Sequence, residues 1–199
     1  MRTFFLFSFL SFIFPGCYSS NNPLSKQVRL LKDGNVTGDS SYVYALPFAK
    51  GKSFRVVQGY FSQFSHRDRA ALDFNMKRGT EIYAVRAGIV IRVKEDGERG
   101  GLNRKFRKDG NNIVIRHFDG SNAGYWHLQK DGALVSVGDT VKEGQLIALS
   151  GQTGYAAFPH LHFLVWKSGP EGWQQVPTRF KTSHGIKYLK FRGKYKNPG

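Results

Sequence analysis

From Tyr42 onward, the chain alternates short apolar segments with turn residues. The apolar segments are rich in Val, Ile, Tyr or Phe and are bounded by Gly, Asp or Asn, which is typical of β-strands. They cover residues 54–57, 81–85, 88–93, 112–117, 124–128, 146–149 and 161–166. No longer stretch has a convincing helical period. The pattern therefore predicts an all-β fold with little helix, built mainly from antiparallel strands as a folded-over sheet or sandwich.

Two polar stretches lie outside this pattern. Residues 94–111 are rich in glycine and charged side chains, and we expect them to form a hairpin extension or a mobile loop. Residues 18–40 are polar and turn-rich with little period, which indicates a linker. The folded domain is therefore predicted over residues 41–199.

Residues 1–17 have the pattern of an export signal. A basic start, Met1-Arg2, is followed by an apolar run over residues 4–14 and then by a short segment that ends at Cys17. The run is shorter than the roughly 20 apolar residues that a membrane-spanning helix needs. We therefore expect the protein to be exported, to the periplasm, to the outer membrane or into the medium.

Cys17 is the only cysteine in the sequence, which excludes an intramolecular disulfide and a thiolate zinc cluster. Its place after Gly16 resembles a bacterial lipoprotein signal, in which the cysteine becomes the acylated first residue. Two alternatives therefore stay open at this end of the chain: a lipid anchor at Cys17, or simple cleavage near Ser19-Ser20.

The chain is strongly basic, with 30 Lys and Arg residues against 14 Asp and Glu residues and a net charge of +16. Such a charge attracts polyanions, which include nucleic acid, anionic lipid and acidic cell-wall polymers. The export signal and the absence of a nucleic-acid-binding motif argue against nucleic acid as the partner.

Two histidines, His160 and His162, begin an apolar segment that is predicted to be a strand. Residues two apart in a strand project from the same face, so both imidazoles can reach one point in space while Leu161 faces the core. This arrangement suits a zinc ligand beside a second histidine with a catalytic or ligand role. Two surface histidines on an edge strand would give the same pattern.

A second group of candidate ligands lies in the segment SHRDRAALDF, which contains His66 and Asp73. Their spacing of seven would put them on opposite faces of a straight strand, so the polar segment between them must turn or bulge if both bind one metal. Asp68 is the rival, because it would share a strand face with His66. Asp73 is preferred because it lies in an apolar setting, where an unpaired carboxylate would be costly.

His127 alternates with bulky residues in a third predicted strand, where a core histidine is the simplest interpretation. Beside the other two groups, a catalytic role becomes the better hypothesis. His117 and His184 lack comparable partners in the sequence and are predicted to be ordinary surface or near-surface residues.

Taken together, these motifs resemble the M23 peptidase family, the LytM and lysostaphin-like zinc endopeptidases of peptidoglycan. The resemblance covers about residues 46–195 and rests on SHRDRAALDF, RGTEIYAVRAGIV, YWHL, VGDTVKEGQLIALSGQTG and PHLHF, which occur in the family's order. The best-known members have their His and Asp ligands four residues apart with Gly between them. The longer spacing here is similar to a branch found in Gram-negative envelope proteins.

The resemblance implies that His66, Asp73 and His162 bind Zn²⁺ and that His127 and His160 form the catalytic pair. It implies hydrolysis of peptide cross-links or stems of peptidoglycan by a metal-activated water, in a protein expected to be a monomer. The alternative is a non-catalytic envelope protein of the same fold that binds and regulates a wall hydrolase.

Overall fold

The computed structural model of the chain describes residues 42–62, 64–169 and 172–198. The predicted export signal, the possible lipid anchor at Cys17 and the linker all lie outside the described residues. Within the described ranges the chain forms fourteen β-strands and two short 3-10 turns, with no α-helix. In this part of the chain no helix is long and apolar enough to cross a membrane. The predicted all-β fold is therefore confirmed.

The strands follow one another closely along the chain. The first seven are β1 (Val43–Tyr44), β2 (Ser53–Gln58), β3 (Ala71–Asn75), β4 (Glu81–Tyr83), β5 (Gly88–Lys94), β6 (Asn111–Arg116) and β7 (Asn122–Ala133). The other seven are β8 (Thr140–Val141), β9 (Leu146–Ser150), β10 (His160–Gly169), β11 (Gly172–Val176), β12 (Arg179–Thr182), β13 (Gly185–Tyr188) and β14 (Lys194–Lys196). The 3-10 turns are Phe64–His66 and Arg104–Asp109.

Most strands belong to one eleven-stranded sheet, whose main path runs β14-β2-β3-β10-β7-β6-β5-β8. β11 extends it beside β10, and β9 pairs with both β7 and β4, which folds the sheet over. A separate three-stranded sheet has the order β1-β12-β13. The pairs of the large sheet are antiparallel, and the single parallel pair joins β1 and β12 in the small sheet of the described region.

The hydrophobic core lies beneath one face of β10. Leu161, Phe163 and Val165 alternate along this strand and are fully or almost fully buried, and Phe163 packs against Tyr125 with ring centroids 5.4 Å apart. The residues between them point to the opposite face, which therefore carries His160 and His162. One face of β10 is therefore packed against the core, and its other face is available to form a site.

The polar stretch at 94–111 connects the paired strands β5 and β6, so it is a hairpin extension as predicted. Its end is anchored by the buried Asn111, whose side chain accepts from the backbone N–H of Gly97 at 2.8 Å and donates to the Gly97 carbonyl at 2.8 Å. Gly100 also forms a β-bridge with Gly154. These contacts fix the extension against the segment that follows β9.

Candidate metal centre

Asp73 and His162 lie directly opposite each other on β3 and β10. Paired residues of antiparallel strands project from the same face, so the register alone brings the carboxylate to the imidazole. Asp73 Oδ1 lies 2.8 Å from His162 Nδ1. Asp73 is 2% exposed, which agrees with the enclosed setting that the sequence indicates.

His66 reaches the same point from a turn. The 3-10 turn Phe64–His66 and the turn that follows it at residues 67–68 reverse the chain between β2 and β3. The turn that the seven-residue spacing requires is therefore present, and it buries His66 completely. Asp68 is exposed and stands outside the cluster.

Three donor atoms converge at this point: His66 Nε2, Asp73 Oδ1 and His162 Nδ1. His66 Nε2 lies 3.2 Å from His162 Nδ1 and 3.3 Å from Asp73 Oδ1. Donors on the edges of a tetrahedron around zinc, with bonds of about 2.0 to 2.1 Å, are separated by about 3.3 Å. The cluster therefore has the size of a tetrahedral zinc site with three protein ligands and one position left for another ligand.

The outer atoms of these side chains are also fixed. His66 Nδ1 lies 3.3 Å from the carbonyl of Gly59, which can only accept, so the lone pair of this imidazole is on Nε2. Gln58 Nε2 donates to Asp73 Oδ2 at 2.7 Å, which leaves Oδ1 for the metal. Partners of this kind orient metal ligands and strengthen them as donors.

The directions in which the pKa values of Asp73 and His162 are shifted favour the protonation states that bind a metal. Burial alone would raise the pKa of Asp73, but hydrogen bonds and charges from His162 and His66 outweigh it and hold the pKa well below its usual range. Burial lowers the pKa of His162 against the opposing effect of Asp73. An ionised carboxylate and neutral imidazoles are the forms that bind a metal.

His127 is brought beside the cluster by a β-bulge. Asn111 pairs with Leu128 and Asn112 pairs with Trp126, so His127 is the extra residue of β7. Its φ of 64° is in the left-handed region, which is rare outside glycine and turns the side chain out of the regular alternation. The ring centroid of His127 lies 4.6 Å from that of His160 and 5.8 Å from that of His162.

Both His127 and His160 are held by backbone carbonyls through Nδ1. His127 donates to Thr153 at 2.7 Å, and His160 donates to Phe158 at 2.8 Å. In the neutral ring each Nε2 is therefore an acceptor. Burial, together with the neighbouring His160 and His162, lowers the pKa of His127 to about 3, so this ring is neutral at physiological pH.

The structure thus brings all five predicted residues together and leaves two other histidines outside. His184 is exposed, as the sequence predicts. The prediction that His117 lies at or near the surface is wrong: this residue is 2% exposed, and its Nδ1 lies 2.9 Å from the Ala87 carbonyl. Burial lowers the pKa of His117, and its ring packs against that of Tyr44 with the centroids 5.9 Å apart.

A family model described as peptidase family M23 matches residues 67–175. The chain belongs to peptidase family M23. This assignment confirms the resemblance carried by the sequence motifs, and together with the donor geometry it indicates zinc as the metal of the cluster.

Curated relatives agree with the M23 assignment. An uncharacterized metalloprotease of Buchnera aphidicola is 34% identical over 164 residues, which cover 79% of this chain and 40% of that protein. The peptidoglycan DD-endopeptidase ShyA of Vibrio cholerae is 37% identical over 91 residues, which cover 46% of this chain and 18% of that protein. The chain thus spans less than half the length of these relatives.

One solved structure, of the SpoIIQ-SpoIIIAH pore forming complex, is similar to this M23 chain in fold. It has a TM-score of 0.50 and 22% identity, and the match covers 68% of this chain and 89% of that chain.

Gln58 is a partner of the cluster that the motifs alone did not reveal. We expect Gln58→Leu, which keeps the size but removes the donor to Asp73 Oδ2, to weaken zinc binding about 10- to 100-fold. Competition with a chromophoric chelator measures this change. Gln145→Leu, in the turn between β8 and β9, is the matched control and should bind zinc as the wild type does. Equal affinities in both variants would contradict the role of Gln58.

The Thr153 side chain forms hydrogen bonds to both β6 and β7 beside the bulge at His127. Its hydroxyl donates to the Leu128 carbonyl at 2.7 Å and accepts from the Asn111 N–H at 3.0 Å. We expect Thr153→Val to lower the free energy of unfolding by about 2 to 4 kcal/mol, because two buried backbone groups lose their partner. Urea unfolding measures this loss, and the exposed Thr140→Val is the control, which should change stability little.

Proposed function

We propose that the chain is a zinc-dependent endopeptidase that hydrolyses peptide bonds in the cross-links or stems of peptidoglycan. The observation that carries this proposal is the complete site: three donor atoms within 3.3 Å of one another, with His127 and His160 beside them. A three-ligand site with an open position is the arrangement of catalytic rather than structural zinc.

His66, Asp73 and His162 would hold the metal. When bound, zinc supplies a Lewis acid that makes water a nucleophile near neutral pH and polarises a carbonyl group. The buried Asp73 offers one oxygen and keeps the other on Gln58, so the carboxylate stays in one orientation throughout the reaction.

His127 and His160 supply the proton transfers. Because both rings donate through Nδ1 to backbone carbonyls, both present Nε2 as the atom that can accept a proton from water. One ring takes this proton and passes it to the leaving amine. The other ring can donate a hydrogen bond from Nε2 to the negatively charged carbonyl oxygen only as the imidazolium, with a proton taken from solvent before the peptide binds. The fixed Nδ1 bonds keep each ring from rotating between these steps.

Peptidoglycan is proposed as the substrate on two grounds. The relative ShyA carries the name of a peptidoglycan DD-endopeptidase, and the net charge of +16 favours an anionic polymer. The proposal also includes export, because cell-wall peptides lie outside the cytoplasm and residues 1–17 have the pattern of a signal.

The test uses purified peptidoglycan and three preparations of the protein: as isolated, stripped with a chelator, and reloaded with zinc. We expect the turbidity of the suspension to fall with the first and third preparations and to stay constant with the second. If the zinc-loaded protein binds the polymer without solubilising it, the chain is a regulator or adaptor and the proposed activity is wrong.

A further inference from the structure

All three tryptophans of the chain form one row that starts at the metal cluster. The ring centroid of Trp126 lies 5.9 Å from that of His162, Trp166 follows at 5.9 Å from Trp126, and Trp173 at 5.5 Å from Trp166. Trp126 pairs with His162 across β7 and β10, and Trp166 lies four residues further along β10, on the same face. The row therefore runs away from the candidate ligands, about 14 Å along the strand from His162 to Trp166.

A glycine makes room for this row. A Cβ at Gly124 would lie 2.0 Å from Cζ3 of Trp126 and 3.0 Å from Cζ3 of Trp166, so both indoles lie across the backbone of β7 at this point. Trp126 and Trp166 are half-buried, and Trp173, at the far end, is 55% exposed. The result is an aromatic surface, formed by Trp126, Trp166 and Trp173, that continues the metal cluster toward solvent.

The sheet beneath the aromatic surface determines what can bind there. β7 and β10 are each hydrogen-bonded to neighbours on both sides, so a peptide cannot add to them as a new strand. A peptide laid over the indoles would turn its backbone N–H and C=O groups toward apolar faces, which is costly. A pyranose ring has the opposite character, because it can place a face of C–H groups on an indole and point its hydroxyl groups sideways.

Polar side chains stand at the sides of the aromatic surface. Gln175 pairs with Trp166 on one neighbouring strand, and its Oε1 accepts from the N–H of Ala70 at 2.7 Å, which fixes the amide. On the other side, the exposed Arg116 is held by Asn122, which accepts from its Nε at 3.4 Å. Amide and guanidinium groups in these places can donate to the hydroxyl and acetamido oxygens of an amino sugar.

We propose that the aromatic surface is a glycan subsite, which binds pyranose rings of a β-1,4-linked N-acetylated amino-sugar chain. The choice of this polymer rests on the proposed function, since the glycan of peptidoglycan is such a chain. The subsite would hold the glycan strand beside the metal cluster and so bring the attached stem peptide to His127 and His160.

The test is a titration of the full chain with chitohexaose, a glycan of this class that carries no peptide, in the presence of a chelator. The three indole N–H signals are followed by NMR and assigned with the single variants. We expect the signals of Trp166 and Trp173 to shift, and Trp173→Ala to raise Kd at least about fivefold. Phe191→Ala, which removes an aromatic residue 48% exposed in the loop before β14, should bind as the wild type does.

Two results would overturn the proposal. One is a titration without indole shifts, or with the same Kd for Trp173→Ala and the wild type when the remaining indole signals show that the variant is folded. The other is the same set of shifts produced by a free stem peptide and not by the glycan. The titration contains neither metal nor a substrate peptide, so it tests the subsite separately from the peptidase activity. Cleavage of peptidoglycan without binding of chitohexaose would disprove the subsite alone. Binding of chitohexaose without cleavage of peptidoglycan would disprove the peptidase activity alone.

Discussion

His162→Ala is expected to abolish both zinc binding and peptide hydrolysis. The substitution removes one of the three donor atoms and leaves the buried Asp73 without the imidazole that lies 2.8 Å from its Oδ1. The loss of zinc affinity should exceed the roughly 10- to 100-fold effect of an outer partner such as Gln58. Metal content, measured by elemental analysis after dialysis, should fall from one zinc per chain to none.

The control for this variant is His184→Ala, which removes an exposed histidine far along the chain from the cluster. It should keep one zinc per chain and full activity on peptidoglycan. If His162→Ala retained its zinc and still cleaved the polymer, the assignment of this residue as a ligand would be wrong.

The second large effect is expected at His127, where activity should be lost while zinc is kept. We choose His127→Asn because asparagine tolerates the φ of 64° that this position requires. The variant therefore removes the imidazole without disturbing the backbone conformation of the bulge. Loss of a general acid–base group should lower kcat about 10²- to 10⁴-fold. Metal content and kcat, measured on the same preparation, check this expectation.

The outcome for His127→Asn distinguishes two roles. A catalytic histidine gives one zinc per chain with a low kcat, as we expect. A histidine that only fills the bulge would give a kcat close to that of the wild type, and a variant that lost its zinc would show that His127 belongs to the metal site itself.

The hydrophobic pattern of the sequence predicted most of the fold, because apolar and polar residues alternate clearly in the strands that form the core. All seven predicted segments fall within or overlap observed strands, and the placement of Leu161 in the core with the two flanking histidines on the other face follows directly from period two. The pattern missed β3, β11 and β12, which have four or five residues each. It also missed β1, β8 and β14, which have only two or three. Segments this short are defined by their partners and have no period of their own.

The candidate site was only partly accessible from the sequence. The spacing of His66 and Asp73 shows that a turn must lie between them, but it does not predict the conformation of that turn. This conformation depends on a 3-10 turn and on the register of β3 with β10. The bulge at His127 has no sequence signal, since the extra residue is a histidine where glycine is usual. The catalytic role of His127 is inferred from the two neighbouring groups of candidate ligands and from the family resemblance, and periodicity alone does not indicate it.

Partners across long sequence distances could not be predicted at all. Gln58 meets Asp73 only because β2 pairs with β3, and Thr153 meets His127 only because the segment after β9 folds beside β7. His117 shows the same limit in the opposite direction: it lacks partners in the sequence and is buried by packing with Tyr44, whose ring centroid lies 5.9 Å away.

Zinc-dependent hydrolysis of peptide bonds in peptidoglycan is the proposed function of this chain. Mass spectrometry of the muropeptides released by the wild-type protein tests it most directly. We predict products in which one peptide bond has been hydrolysed, with the mass of one water added and one new amino group formed. The His162→Ala variant should release no such products. Products cut in the glycan with all peptide bonds intact, or the same peptide cleavage by the chelator-treated protein, would contradict the proposed function.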